Sequence, residues 1–287
     1  MTDLEGVEGR PTPPRLVRYE RVGRVAVVTL DNPDKLNVID HGPDSMAAQL
    51  LDALRTADDD DDIGCIVLTG QGRAFSAGGG LGGMARTSPA DWYAFIEGNA
   101  AETQAIRSLR KPTIGAINGI CYGFGLILAT HLDMIVASAE ARFGLIETRI
   151  GSTGAQTLPY LVGPQWAKFL ALSGEIISAQ TARDIGLVLQ IFPHDTFRAK
   201  VMDLARRVSE MPAEAVVLNK RVINSAMDLM GWETQRNLST AINTVTNMAS
   251  VDARSADGRR FADIMRDEGW SAYKAARDEP FTPPWLD

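Results

Sequence analysis

The span Pro112-Thr-Ile-Gly-Ala-Ile-Asn-Gly-Ile-Cys-Tyr-Gly-Phe-Gly-Leu-Ile-Leu-Ala129 decides how this chain folds. It opens on a short β-branched run that reads as a buried strand, passes through a glycine-rich turn and ends in an almost wholly apolar helical run. Glycines at a strand-to-helix turn let backbone N–H groups approach a ligand closely. A second turn of this kind, Ala74-Phe-Ser-Ala-Gly-Gly-Gly-Leu-Gly-Gly-Met84, follows the strand-like run Cys65-Ile-Val-Leu-Thr-Gly70. Two such turns can aim two amides at one developing oxyanion, the arrangement that stabilises an enolate or a tetrahedral centre. Taken singly, each also reads as an ordinary tight turn, since neither matches a P-loop or a full dinucleotide-binding fingerprint.

Around this span, strand and helix patterns alternate from about Val17 to about Phe192. Tyr19 to Leu30 reads as a hairpin turning at Gly23, Pro43 to Ala57 as a helix through Met46, Leu50, Leu51 and Leu54, and Ser88 to Leu109 as another with Trp92, Phe95, Ile96 and Ile106 on its apolar side. Such alternation predicts an α/β fold with a largely parallel sheet. The acidic run Asp58 to Asp62 reads as a solvated loop. After Pro193 no strand pattern returns, and Phe197 to Met211, Pro212 to Met230, Glu233 to Met248 and Ser255 to Arg277 read as helices. The expected division is therefore a mixed part over 16–196 and a helical part over 197–287. The tail from Pro280 is proline-rich, and the sequence leaves open whether it wraps onto a neighbour.

The candidate proton-transfer group is Glu147, within Phe143-Gly-Leu-Ile-Glu-Thr-Arg-Ile-Gly151. From Pro112 to Gly163 the only other acids are Asp133 and Glu140. A carboxylate among Phe143, Leu145 and Ile146 loses hydration, which raises its pKa towards the range a proton shuttle needs. The alternative is an exposed acid at a strand end, paired with Arg149.

Composition is that of a soluble globular enzyme: 287 residues, 45% hydrophobic and 23% charged. No uninterrupted apolar segment reaches membrane-spanning length, and Met1 to Arg15 is polar and proline-containing rather than secretory. Cys65 and Cys121 lie in apolar surroundings and read as reduced core residues, which favours a cytoplasmic location. A net charge of −7 argues against general nucleic-acid binding. The three histidines are scattered and no cysteine pair has ligand spacing, so no metal site is expected. Ser76 lacks the nucleophile elbow of a serine hydrolase. His41 and His194 fall in loops and carry no particular signal.

Further stretches, read in order, make the pattern specific. Arg24-Val-Ala-Val-Val-Thr-Leu-Asp-Asn-Pro-Asp-Lys-Leu-Asn37 precedes the first glycine turn, and Lys111-Pro-Thr-Ile-Gly-Ala-Ile-Asn-Gly119 precedes the second. Asp133-Met-Ile-Val-Ala-Ser138, Ala141-Arg-Phe-Gly144 and the run from Leu170 to Val188 follow. The series covers most of the chain and resembles the crotonase (enoyl-CoA hydratase/isomerase) superfamily. The resemblance implies a spiral of repeated β-β-α units, a C-terminal helical oligomerisation region and assembly as a homotrimer or a dimer of trimers. It implies an acyl-CoA thioester as substrate, with coenzyme A part of that substrate and no separate cofactor. The thioester oxygen would be held by the backbone amides of Gly79 and Phe124. Lys35 and the Leu36-Asn37 backbone, with the strand edge Ala77 to Gly79, would contact the CoA; Gly123 and Ile127 would be substrate-binding, and His131, one helical turn beyond Ile127, would face the same cavity, since i and i+4 share a face. Lys35 also reads as a plain surface lysine of a turn, and His131 as a core histidine.

Three departures from the family pattern bear on the reaction. Phe124 stands where a glycine is common, Gly80 where an aspartate is common, and Ile127 where hydratases carry the first of two glutamates; the second matches Glu147. A single base suffices to move a proton between two carbons of a stabilised dienolate, as the enoyl-CoA isomerases of the family do. An isomerase-like reaction through Glu147 is therefore the leading expectation. Hydration, C–C bond cleavage by a lyase or hydrolase of the same superfamily, and a catalytically idle CoA-binding or scaffolding role are the alternatives.

Overall fold

Strands β1 (Val17–Val22) and β2 (Val25–Leu30) form an antiparallel hairpin about Gly23, in the register Val17 to Leu30. The apolar run of β2 then serves both faces of a sheet. Ala26, Val28 and Leu30 join the main core, while Val25 and Val27 join a second cluster on the other side. Strand β3 (Cys65–Gly70) divides the same way, Ile66 and Leu68 against Cys65 and Val67. Residues of period two that are buried on both faces read as continuous hydrophobic runs, the signature of a covered parallel sheet. The computed structural model describes residues 14–80, 86, 88–154 and 156–286. The polar chain start and 81–85, the far end of the first glycine turn, lie outside the described residues.

The spiral follows from how each repeat turns its corner. Strands β3, β5 (Thr113–Ile117) and β7 (Met134–Ser138) enter a six-stranded sheet of order β1-β2-β3-β5-β7-β10, parallel apart from its first hairpin. Immediately after each comes a short strand of a second, four-stranded sheet: β4 (Ala74–Ser76), β6 (Ile120–Tyr122) and β8 (Arg142–Gly144), with β9 (Ile176–Ser178) closing its edge. A helix ends each repeat: α2 (Pro89–Arg107), α3 (Phe124–Ala129) and α4 (Leu158–Ser173). Helix α1 (Met46–Asp59) precedes them, and α5 (Ala179–Asp184) and β10 (Gln190–Phe192) complete the mixed part. Ser45 and Ser88 cap α1 and α2, their hydroxyls accepting from Ala48 N and Asp91 N.

Two asparagines clamp the corner between β3 and β4. Asn37 is fully buried, accepts from the Asn32 amide at 2.9 Å and donates to the carbonyls of Gln71 and Ala74 at 3.0 and 2.8 Å. Asn118, from the next repeat, donates to Gly72 O at 2.8 Å and accepts from Gly70 N at 3.2 Å. The run Asp58 to Asp62 is not simply a solvated loop. Asp58 lies in the last turn of α1, is buried, and accepts from Lys111 N at 2.8 Å and Arg110 Nε at 3.2 Å, tying α1 to the approach of β5.

Helix α6 (His194–Ser209) lays Phe197, Val201 and Ala205 on the second face of the large sheet. Helices α7 (Ala213–Leu229), α8 (Trp232–Ala249) and α9 (Phe261–Asp278) follow, α9 bending at Gly269. The tail folds back on α4, with Trp285 5.7 Å from Phe169 and its amide donating to Glu175. No helix among the described residues is long and apolar enough to cross a membrane.

Because the buried Asn37 side chain satisfies three backbone groups, Asn37→Ala is expected to lower stability by about 2–4 kcal/mol. Urea unfolding of the variant beside the wild type measures this.

Candidate active site

The two glycine turns press against each other, and this contact builds the site. A Cβ added at Gly125 would lie 2.8 Å from Ser76 Cβ and from Ser76 O, so only glycine allows the start of α3 to meet the end of β4 so closely. Gly79 pairs with Ile39 as a parallel bridge: Gly78 O accepts from Ile39 N, and Gly80 N donates to Ile39 O, each at 2.9 Å. The N–H of Gly79 itself takes no part in that pairing. Phe124 is the first residue of α3, where a backbone N–H has no partner within the helix. A Cβ at Gly79 would stand 3.6 Å from Phe124 Cβ, so the two candidate oxyanion donors are near neighbours.

Gly79, Ala77, Gly123, Phe124, Ile127 and Glu147 line one cavity of about 190 Å³. Glu147 sits in a 3₁₀ turn, Ile146–Ile150, that follows β8. Its carboxyl lies against Gly123: a Cβ there would fall 2.5 Å from Glu147 Oε1. Glu147 Oε2 is buried without a hydrogen-bond partner among the described residues. Burial pushes the pKa of this carboxyl up to about 7, against a smaller opposing effect of the Glu147 backbone amide and of Arg277. Pairing with Arg149 does not occur. Arg149 ion-pairs with Asp278 at 3.1 Å and donates through Nε to Gly174 O at 3.0 Å.

The other expected contacts lie off this cavity. Lys35 is exposed at the end of the turn Pro33–Lys35, and Leu36 O accepts from Ala77 N at 2.9 Å. His131 is buried; its Nδ1 is 2.8 Å from Ile127 O and its ring meets Trp232 edge-on at 5.5 Å. It lines a smaller adjoining cavity of about 60 Å³ that shares Phe124 and Ile127 with the larger one. Burial lowers the His131 pKa to about 4, so its ring is uncharged near neutrality. Among the described residues no three histidine, cysteine or acidic side chains cluster as a metal site would need.

The cavity also holds residues that the sequence did not flag. His41 reaches it from the loop before α1, and Phe261, Tyr273 and Arg277 reach it from α9. Tyr273 is fully buried and its hydroxyl has no hydrogen-bond partner among the described residues. No spacing pattern could have found them, because each is brought in by a tertiary contact.

The fold, a β-β-α spiral followed by C-terminal helices, is that of the crotonase superfamily. The family model for enoyl-CoA hydratase/isomerase matches residues 20–282, and the chain belongs to that family. It is 33% identical over 266 residues to the 1,2-epoxyphenylacetyl-CoA isomerase of Escherichia coli K12, covering 90% of this chain and 95% of the relative. It is 32% identical over 230 residues to the 2,3-dehydroadipyl-CoA hydratase of the same organism, covering 77% and 88%. Among solved structures, an enoyl-CoA hydratase/isomerase from Xanthobacter autotrophicus Py2 superposes with a TM-score of 0.85 at 28% identity, over 93% of this chain and 98% of that one.

Gly123 has a φ of 54° and no room for a Cβ beside Glu147. Gly123→Ala is therefore expected to displace the carboxylate and lower kcat by about 100-fold while the protein remains folded. Steady-state kinetics with a circular-dichroism melt separates the two effects.

Proposed function

We propose that the protein moves a double bond in an acyl-CoA thioester through an oxyanion-stabilised enolate, with Glu147 as its only carboxylate acid/base. The observation that carries this reading is the buried Glu147 carboxyl beside the Gly123–Phe124 turn, with its pKa pushed up to about 7. A carboxyl so placed is divided between ionised and protonated forms near neutrality, and can both take and return a proton.

In a 3-enoyl thioester, Glu147 takes a proton from C2. The electron pair spreads through the dienolate onto the thioester oxygen, where the amides of Gly79 and Phe124 receive it. Glu147 then delivers the proton to C4, leaving the 2-enoyl isomer, with atoms and charge balanced. Coenzyme A arrives with the substrate and no further cofactor is invoked. Ile127 transfers no proton, which favours isomerisation over hydration by paired glutamates.

Abstraction needs the ionised carboxylate, so kcat/KM is expected to be level above about pH 7 and to fall about tenfold per unit below it. Glu147→Gln is expected to lower the rate about 100-fold or more. Absorbance of the conjugated product from a 3-enoyl-CoA follows both. Wild-type protein that binds CoA thioesters yet turns over none of them would support the scaffolding role instead.

We further propose that the protein self-associates. Leu218, Val222 and Leu229 on α7 and Leu238, Ile242 and Val245 on α8 are exposed at helical spacing, apolar stripes that a second copy of the chain would cover. Light scattering is expected to give the mass of a trimer or hexamer, and Val222→Asp combined with Ile242→Asp to lower it towards that of one chain.

A further inference from the structure

His41 stands against the turn that carries the Phe124 amide. Its ring meets the Phe124 ring edge-on at 5.0 Å and the Phe95 ring at 5.4 Å, and it lines the same cavity as Glu147. Glu147 packs on Gly123 and His41 on Phe124, so two groups able to carry a proton flank one turn. His41 Nδ1 lies 2.8 Å from Glu102 Oε2, a residue of α2. A carboxylate at Nδ1 makes that nitrogen the donor and leaves Nε2 of the neutral ring as the basic atom. Among the described residues Nε2 has no hydrogen-bond partner. Ring orientation by a carboxylate is what a general base needs when it must activate a weak nucleophile.

We propose that His41, oriented by Glu102, is a second catalytic group of this site and gives it a hydration activity that needs no glutamate at position 127. The inference rests on the enolate reading above. Nε2 of His41 takes a proton from water while the water oxygen bonds to C3 of a 2-enoyl thioester. The C2–C3 π electrons move onto the thioester oxygen between the amides of Gly79 and Phe124. Protonated Glu147 then delivers its proton to C2, giving the 3-hydroxyacyl thioester. One water is consumed, and the proton left on His41 passes through solvent to the Glu147 carboxylate. Glu102 acts through His41 and is a positioning residue.

The test measures two reactions on each variant: hydration of a 2-enoyl-CoA, followed as loss of conjugation, and isomerisation of a 3-enoyl-CoA. His41→Gln is expected to lower the ratio of hydration to isomerisation about 100-fold, and Glu102→Gln to lower it less. Glu147→Gln is expected to depress both reactions; if it leaves both intact the enolate reading falls, whatever His41 does. Four results would overturn the role of His41 while leaving Glu147 untouched. They are a wild-type protein that hydrates no 2-enoyl thioester, an unchanged ratio in His41→Gln, an equal fall of both rates in that variant, or a fall that tracks a lowered melting midpoint. The equal fall would mean that the ring only props Phe124.

Discussion

The close approach of two backbone turns, Ser76 to Gly80 against Gly123 to Gly125, is the constraint on which the rest of this structure depends. Amides can converge on one oxygen only if no side chain stands between them, and the missing Cβ of Gly125 supplies that freedom against Ser76. The β-β-α spiral holds the approach from behind. Each repeat puts one strand in the large sheet and one in the small sheet, where β4 pairs with β6, and the first turn is held on its other side by Ala77 N donating to Leu36 O and by the Ile39–Gly79 bridge. The asparagine clamp on the 70–74 corner does the same for the strand that leads into the first turn. A site whose amides are set by sheet register needs little reorganisation as charge develops, which is how preorganised dipoles stabilise an enolate.

Much of this was legible from residue order. The β-branched runs at 65–70 and 113–117 are strands because residues buried on both faces must be apolar at every position, and that pattern survives in a sequence. The burial of the Glu147 carboxyl was legible for a related reason, a single acid among Phe143, Leu145 and Ile146. The acid run at 58–62 misled because local composition does not reveal that Asp58 turns inward to meet Lys111 N and Arg110. His41 was passed over on the same ground. Its partner Glu102 is 61 residues away, the rings it meets edge-on, Phe95 and Phe124, come from different repeats, and a loop histidine has no periodicity to report. Tyr273 and Arg277 come from a helix more than a hundred residues beyond Glu147, and only the path of α9 over the cavity relates them.

The C-terminal helices therefore contribute residues to the cavity as well as exposed apolar faces. Helix α8 supplies Asn243 and Asn247 to the cavity, and α9 supplies Phe261 and Tyr273. Phe261 and Tyr273 form a small apolar cluster with Ile150, which lies one turn beyond Glu147. These rings line the same cavity as the buried Glu147 carboxyl. Among the described residues the buried Tyr273 hydroxyl has no hydrogen-bond partner, an arrangement that stability alone would not select.

Ile127 completes the argument. A Cβ at Gly154 would stand 3.0 Å from Ile127 Cδ1 and 3.5 Å from Glu147 Cδ, so the isoleucine and the carboxyl pack around one point. A carboxylate at 127 would set a second charge there. Two acids so close cannot both ionise readily, and their titration becomes a property of the pair. An isoleucine instead adds apolar surface, and desolvation becomes the main influence on the Glu147 pKa. On the proposed reading, the isoleucine at 127 leaves Glu147 as the one carboxyl proton carrier, and a second carrier must come from outside α3. The ring of His41, edge-on to Phe124 and lining the same cavity, is such a group.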